Sequence, residues 1–432
     1  MSNQLLTTAK ITQECLAVLE NELTFSAAVN RQYDDQFAQS GAKIGATVNI
    51  RKPTHYVVGS GPVIDPQAST ETYVPLTLTN QNNVAMSFTS ADLALDLDEF
   101  SSRIVKPAMA QLANKIDYDF YAAMAKATWG FRGTLGELVG TPTSAQAITA
   151  ILKAGQLLDE MATPMDEQRA AVISPATNTG IVQAQASLFN PSGTISQQFR
   201  KGALGDNVLG FNFARSQNVY THANGTLTAL VADGTDGTNQ GSSNTVQTDA
   251  TTPFSVTINA LGGTVTVGSV ITFGTTSSKG VYAVNPQNRA STGSLQTFTV
   301  VGNGTVGTDV GASDTTVQIL PYPIFSGPFQ NVYSSAGGIA DAAQVAVVSG
   351  YSSSQYAQNL FFHKNAYTLA CADLPLPKGN GDASRAASKA AGLSVRLIKD
   401  YYNAVTDQFI TRLDVLWGGK AIYPELAVRL TG

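Results

Sequence analysis

Hydrophobic positions change their spacing several times along the chain, and each change marks a different kind of element. Over residues 1 to about 38, Ile11, Cys15, Val18, Leu19 and Leu23 recur at helical spacing with polar residues between them. Such a helix must bury its stripe, either on its own domain or, as a terminal arm, on a neighbour. Residues 46–88 switch to strand-like alternation in TVNIRKPTHYVV and TYVPLTLTNQNNVAMSF, separated by the turn-rich GSGPVIDPQASTE. This predicts a long hairpin-like loop. Tyr56, Val57, Val58, Val63, Ile64 and Tyr73 are more apolar than a loop facing only water requires. They are candidate contact residues, to another surface or to the loop's own domain.

The strongest helical pattern lies over 90–128, where Phe100, Ile104, Ala108, Leu112, Ile116, Phe120 and Met124 recur every four residues. That stripe drifts round a straight helix, so successive turns meet different neighbours. Ser90 or Asp92 can cap it, and Pro107 predicts a kink or a restart. Residues 141–222 alternate: a helix capped by Ser144 and stopped at Thr163-Pro164, the strand AAVIS (170–174), a helix ended by Asn190-Pro191, and the strand VLGFNFA (208–214). This is an α+β domain with a mixed sheet. Residues 223–345 carry the period-two runs FSVTINA, TVTVGSVITFG, LQTFTVVG and TTVQILPYPIF, which predict a small all-β sandwich or barrel. Beyond 345 the α/β style returns: NLFFHKNAYTLACADLPLP, a mobile loop KGNGDASRAASKAAG, then strand-like LSVRLIKDYY and QFITRLDVLWGGKAIYPELAVRL. A sheet begun before 222 is completed after 345, so 223–345 reads as an insertion.

Composition narrows the function. Only 13% of the 432 residues are charged, against about 25% in an average globular chain. The 26 basic and 31 acidic residues leave a net charge of −5, which disfavours gripping nucleic acid through net charge. A hydrophobic share of 43% excludes disorder throughout. No apolar run is long enough for a membrane span, no secretory signal is expected, and Cys15 and Cys371 make no disulfide framework. A reducing cytoplasm suits the chain.

Catalytic chemistry is not legible. His55, His222 and His363 are scattered and form no metal-ligand spacing. His363, in FFHKNAY, reads as a satisfied structural histidine. Gly302-Asn303-Gly304-Thr305-Val306-Gly307 fits a dinucleotide fingerprint, but TDVGASDTTVQIL follows where a helix would be needed, so it reads as a turn. Asp233 and Asp236 in DGTDGTN lack calcium-loop spacing and suit ordinary turns. No catalytic, cofactor or metal residues are expected, and the chain is read as a non-enzyme. The competing reading is a β-rich surface or tail-type adhesin module.

Several stretches together resemble one family. FTSADLALDLDEFSSRIVKPAMAQLANKID (88–117) is similar to the start of its long spine helix, and GVYAVNPQNRASTGSLQTFTVVG (280–302) with ILPYPIF (319–325) to the core of its inserted domain. Residues 359–377 and 393–430 resemble its closing section. The family is the major capsid proteins of tailed bacteriophages with the Hong Kong Ninety-Seven type fold, narrowly the P-twenty-two-like coat proteins. The resemblance implies an N-terminal arm (1–45), an E-loop (46–88) lying on a neighbour, and a spine helix and peripheral domain (89–140, completed by about 395–432). It further implies an axial domain (141–222, continued by about 346–394) and an inserted β-domain (223–345). In that domain a D-loop near 232–253 would place Asp233, Asp236 and Asp249 at a subunit interface. Implied partners are the chain itself as hexamers and pentamers, a separate scaffolding protein, a portal protein, a decoration protein, and packaged DNA by weak non-specific contact. No membrane partner is implied. The place of action would be the virion capsid, with assembly in the host cytoplasm.

Overall fold

The computed structural model describes residues 8–32, 47–59, 61–62, 66–67, 69, 71–89, 104–133, 138, 142–185, 208–225, 230–232, 240–241, 251–260, 265–275, 279–303, 315–349, 355–377, 382–388, 392–403 and 405–431. The chain divides into two compact units. The first is Met1–Ile50, Pro75–Tyr121 and Tyr367–Ile422; the second is Arg51–Val74, Ala122–Ala366 and Tyr423–Gly432.

In chain order, helices α1 (Thr8–Glu22) and α2 (Phe25–Ala28) precede strands β1 (Thr47–Lys52), β2 (Thr72–Thr77) and β3 (Asn80–Thr89). Then come α3 (Lys106–Ala127), β4 (Phe131–Arg132), α4 (Ser144–Glu160), β5 (Arg169–Ile173), α5 (Pro175–Gln185), β6 (Asn212–Arg215) and β7 (Thr221–Ala223). Nine strands follow: β8 (Leu230–Ala232), β9 (Phe254–Ala260), β10 (Val270–Phe273), β11 (Tyr282–Val284), β12 (Ser291–Leu295), β13 (Phe298–Asn303), β14 (Thr315–Leu320), β15 (Val332–Tyr333) and β16 (Gln344–Val347). The chain closes with β17 (Gln355–His363), β18 (Tyr367–Ala372), β19 (Asp382–Ser388), β20 (Leu393–Asn403), β21 (Gln408–Ala421) and β22 (Ala427–Thr431).

The first unit is built on β21. One edge of this long strand pairs with β3, from Thr89 opposite Gln408 to Asn80 opposite Trp417. The other edge pairs first with β20 and then with β18, and β19 extends the sheet beyond β20. Val395, Leu397, Leu413 and Val415 bury one sheet face. Helix α1 packs on β19 and β20 of its own chain through Ile11, Cys15, Leu16 and Leu19, with Val18 half-buried and the Thr12 hydroxyl bonded to that of Ser384. Asp117 of α3 ties down the short α2, accepting from the Ser26 N–H at 2.9 Å and its Oγ at 2.8 Å.

Two expectations change here. The segment 382–388, read as part of a mobile loop, is a strand paired along β20. The second arm expected of the 46–88 hairpin divides at Leu78-Thr79: β2 pairs with β1, whereas β3 joins the large sheet. Pro107 is the second residue of α3 (Lys106–Ala127), directly after the π-helical pair Ile104-Val105. The earlier part of the expected helix, 90–103, lies outside the described residues.

In the second unit a mixed sheet runs β4-β22-β17-β5-β6, parallel between β4 and β22 and between β5 and β6. Leu138, Ile151, Leu158, Ile181, Phe211 and Phe361 form the core where α4 and α5 cover this sheet. Helix α4 is capped one residue earlier than expected: Thr143, not Ser144, holds the Gln146 N–H in a reciprocal capping box. Strands β10-β13-β14-β9-β8-β16 close into a barrel filled by residues such as Val256, Ile271, Phe273, Phe298 and Ile319. The start of the glycine-rich decoy, Gly302-Asn303, ends β13, which pairs antiparallel with the next strand β14. Strands β7 and β17 flank the barrel-forming stretch and pair with each other, Ala223 opposite Gln355. The chain therefore leaves the mixed sheet and returns to it at neighbouring points.

Candidate assembly surfaces

The β1–β2 ribbon carries the candidate contact residues into the second unit. Across it, the Gln67 amide grips the Val57 backbone at both ends: the Val57 N–H donates to Oε1 at 2.8 Å, and Nε2 donates to the Val57 carbonyl at 2.6 Å. The Tyr56 hydroxyl reaches Ser69 Oγ at 3.3 Å, and Arg51 pairs with Glu71 at 3.5 Å. Arg289 anchors the ribbon's base, donating to the Tyr56 carbonyl at 3.1 Å and to the Pro328 and Gly327 carbonyls at 2.7 Å each. The His55 ring meets Phe329 edge-on at 5.0 Å. Burial first, then the charges of Arg289 and Lys52, push His55 below its ordinary pKa, which keeps it neutral at pH 7.

The backbone is thus fixed while the side chains face outward. Tyr56 is 53% exposed, Val57 40%, Val58 94% and Tyr73 58%. Tyr73 alternates with the buried Thr72 and Val74, as strand geometry requires. Val63 and Ile64 lie outside the described residues, as do Asp233, Asp236 and Asp249.

Beside the ribbon's base lies a cleft of about 420 Å³, walled in part by Trp129, Ile324, Phe329 and Tyr423. A small-ligand site has this size, but several of its polar side chains are engaged within the wall. Lys52 Nζ sits 5.4 Å from the Tyr423 ring centre, and Gln296 Nε2 donates to the Thr297 carbonyl. The Asn331 side chain joins the Ile324 N–H to the Tyr322 carbonyl.

Sequence reasoning missed one surface. At the tip joining β20 to β21, Tyr401 is 48% and Val405 93% exposed, and the Tyr402 ring packs on Phe409 at 5.0 Å. The signal was present in DYYNAVTD, an apolar Val between turn formers at the end of an aromatic strand. It is the pattern that singled out residues 56–64.

Of the histidines, His363 is the buried structural residue expected. Its Nε2 lies 3.0 Å from Asp166 Oδ1, and its Nδ1 accepts the Asn365 N–H at 3.3 Å. With Nδ1 occupied as an acceptor, Nε2 carries the proton toward the carboxylate. Among the described residues no group of three His, Cys, Asp or Glu side chains could hold a metal ion. No described helix is long and apolar enough to cross a membrane.

Comparison with known proteins decides what these surfaces belong to. The family model described as "P22 coat protein - gene protein 5" matches residues 3–432. The chain belongs to that coat protein family. It is a major capsid protein of the Hong Kong Ninety-Seven type, a structural subunit and not an enzyme, whose copies form capsomers and the icosahedral shell of a bacteriophage virion. Among solved structures, the chain is similar to one of Mycobacterium phage Che8 at 13% identity and TM-score 0.47, covering 94% of this chain and 90% of that one. It is also similar to the capsid of cyanophage P-SCSP1u at 11% identity and TM-score 0.43, covering 93% and 88%. No curated protein matches it.

Proposed function

We propose that the β1–β2 ribbon is the E-loop of this coat protein and lies on the adjacent subunit of the same capsomer. The carrying observation is the combination of a clamped backbone with outward apolar side chains: Val58 is nearly fully exposed beside a Val57 held at both backbone atoms by Gln67. Rigid presentation of an apolar patch lowers the ordering cost of docking. On this reading 1–45 forms the N-terminal arm, 89–140 with 395–432 the peripheral domain, and 141–222 with 346–394 the axial domain. The stretch 223–345 is an inserted domain, supported by the closed barrel and by the pairing of β7 with β17 at its two ends. Asp233, Asp236 and Asp249 act in a D-loop contact between capsomers. A separate scaffolding protein guides assembly in the host cytoplasm, a portal and a decoration protein attach to the shell, and packaged DNA is held by weak non-specific contact. The low charge content suits this role, because charges desolvated at an interface are costly unless paired.

Deletion of 59–70 tests the E-loop assignment. The subunit should keep its circular dichroism spectrum and cooperative melt and lose assembly; shells at normal yield from the deletion would remove the assignment. For the D-loop, the Asp233→Ala, Asp236→Ala double variant should lower shell stability and leave the free subunit's melt unchanged. Unchanged shells count against it.

A further inference from the structure

The chain enters and leaves the barrel-forming stretch through one buried polar cluster in the second unit. Asn224, the residue after β7, presents Oδ1 to Ser349 Oγ at 2.9 Å and to Ser269 Oγ at 3.3 Å. Ser349 follows β16 and also accepts the Val270 N–H at 2.8 Å, so one amide joins the outgoing chain, the returning chain and the start of β10. Thr266 Oγ1 donates to the Ala223 carbonyl at 2.8 Å. From β22, the fully buried Arg429 donates to the Gly268 carbonyl at 2.7 Å and to Thr299 Oγ1 at 3.0 Å. Thr299 in turn donates to the Lys126 carbonyl at the end of α3.

His222, 1% exposed, sits inside this cluster. Its Nε2 lies 3.2 Å from Ser269 Oγ and its Nδ1 3.3 Å from the Tyr220 hydroxyl. Ser269 gives its proton to Asn224, so its oxygen accepts from Nε2–H, and Nδ1 accepts from Tyr220. The network closes with a neutral imidazole. Gly268, at φ +101°, is wedged against the Lys126 stem and the His222 ring: a Cβ there would lie 3.1 Å from Lys126 Cγ and 3.3 Å from His222 Nδ1.

We propose that His222, Asn224 and Arg429 form an acid-sensitive latch, which holds the Gly268–Val270 corner of the barrel to β7 and β22 while the imidazole is neutral and releases it on protonation. The charged groups facing the ring are Lys126 from α3 and Arg429 from β22. The Tyr220 hydroxyl faces it from its own segment, and the barrel contributes the uncharged Gly268 and Ser269. A second proton on the ring would add a third positive charge to this pocket. Burial first, then Arg429, and last Lys126 lower the His222 pKa to about 4, against a hydrogen bond to Asn224 that favours the charged form. The unfolded or released ring titrates near its ordinary 6.5. The released state therefore binds the proton first: the latch is intact above pH 6.5 and is lost as pH falls toward 4.

Hydrogen exchange by mass spectrometry on the full-length, unassembled subunit tests this, with rates corrected for the intrinsic pH dependence of exchange. Between pH 7.5 and 5 the opening constant for amides of 266–270 should rise about 30-fold, the ratio set by ring pKa values of 6.5 and about 4. Pairs between β17 and β22 should not follow. His222→Gln should flatten the pH response, and Lys126→Met, which removes one facing cation, should shrink it. A corner whose exchange ignores pH overturns the latch, and so does a response undiminished in His222→Gln. If that variant fails to fold, an undiminished response in Lys126→Met overturns it alone.

Discussion

Replacing Val58 by Asp separates folding from assembly. Val58 is 94% exposed, and the backbone beside it is held by Gln67 at Val57 and by Arg289 at Tyr56 rather than by the Val58 side chain. Its substitution should therefore change subunit stability by no more than about 0.5 kcal/mol. In a shell contact the account is different. Full burial of a valine contributes about 1.5–3 kcal/mol, and a carboxylate in its place must be desolvated at a cost of several kcal/mol more. A loss of about 3 kcal/mol per contact weakens each by roughly 100-fold, at 1.4 kcal/mol per factor of ten. Val58→Thr, which removes apolar area without adding charge, should fall between wild type and Asp. The assays are the thermal melt of the free subunit, sedimentation velocity, and electron microscopy of assembly products. A Val58→Asp chain that builds shells at wild-type yield and stability would refute the reasoning, because the valine would then be facing solvent in the shell too.

Other perturbations address the subunit itself. Arg289→Ala removes the cation that joins the Tyr56, Gly327 and Pro328 carbonyls, so amides of 55–58 should exchange faster while the barrel's melt is kept. Gly419→Ala would place a Cβ 2.3 Å from Cε2 of the buried Phe120, and overpacking of this kind costs about 1–3 kcal/mol, read as a lower melting temperature. Thr143→Ala removes the α4 capping box and should cost about 1 kcal/mol in denaturant unfolding. Asp117→Ala leaves the Ser26 N–H and Oγ without their buried acceptor, which should cost about 1–3 kcal/mol and loosen α2 first in hydrogen exchange.

Strands with a strong local pattern were legible from sequence: FSVTINA is β9 residue for residue, and the expected run TTVQILPYPIF holds β14 in its first part, TTVQIL, and leaves the strand at Pro321. Elements whose partner is distant were not. DASRAAS has small residues and no apolar alternation, and it is a strand because β20 beside it supplies Val395 and Leu397 to the buried face. The break at Leu78-Thr79 follows from β21, more than 300 residues away, which claims β3 for a second sheet. A local window cannot see either partner. The α4 cap slipped by one residue because Thr143 and Ser144 are both good caps, and only the reciprocal Gln146 bond distinguishes them. Among surface residues, Tyr56, Val57, Val58 and Tyr73 were readable as apolar side chains in a turn-rich stretch. The Tyr401–Val405 tip carries the same signal, but its aromatic residues continue the strand-like LSVRLIKDYY, so it was read only as the end of a strand.

The central claim is that this chain builds a shell through contacts between its own copies. Electron microscopy of the purified, overexpressed chain, with sedimentation velocity alongside, tests it most directly. The account predicts rings of five and six subunits together with closed shells or tubes. A chain that stays monomeric up to its solubility limit, with the barrel and both sheets intact by hydrogen exchange, would contradict it.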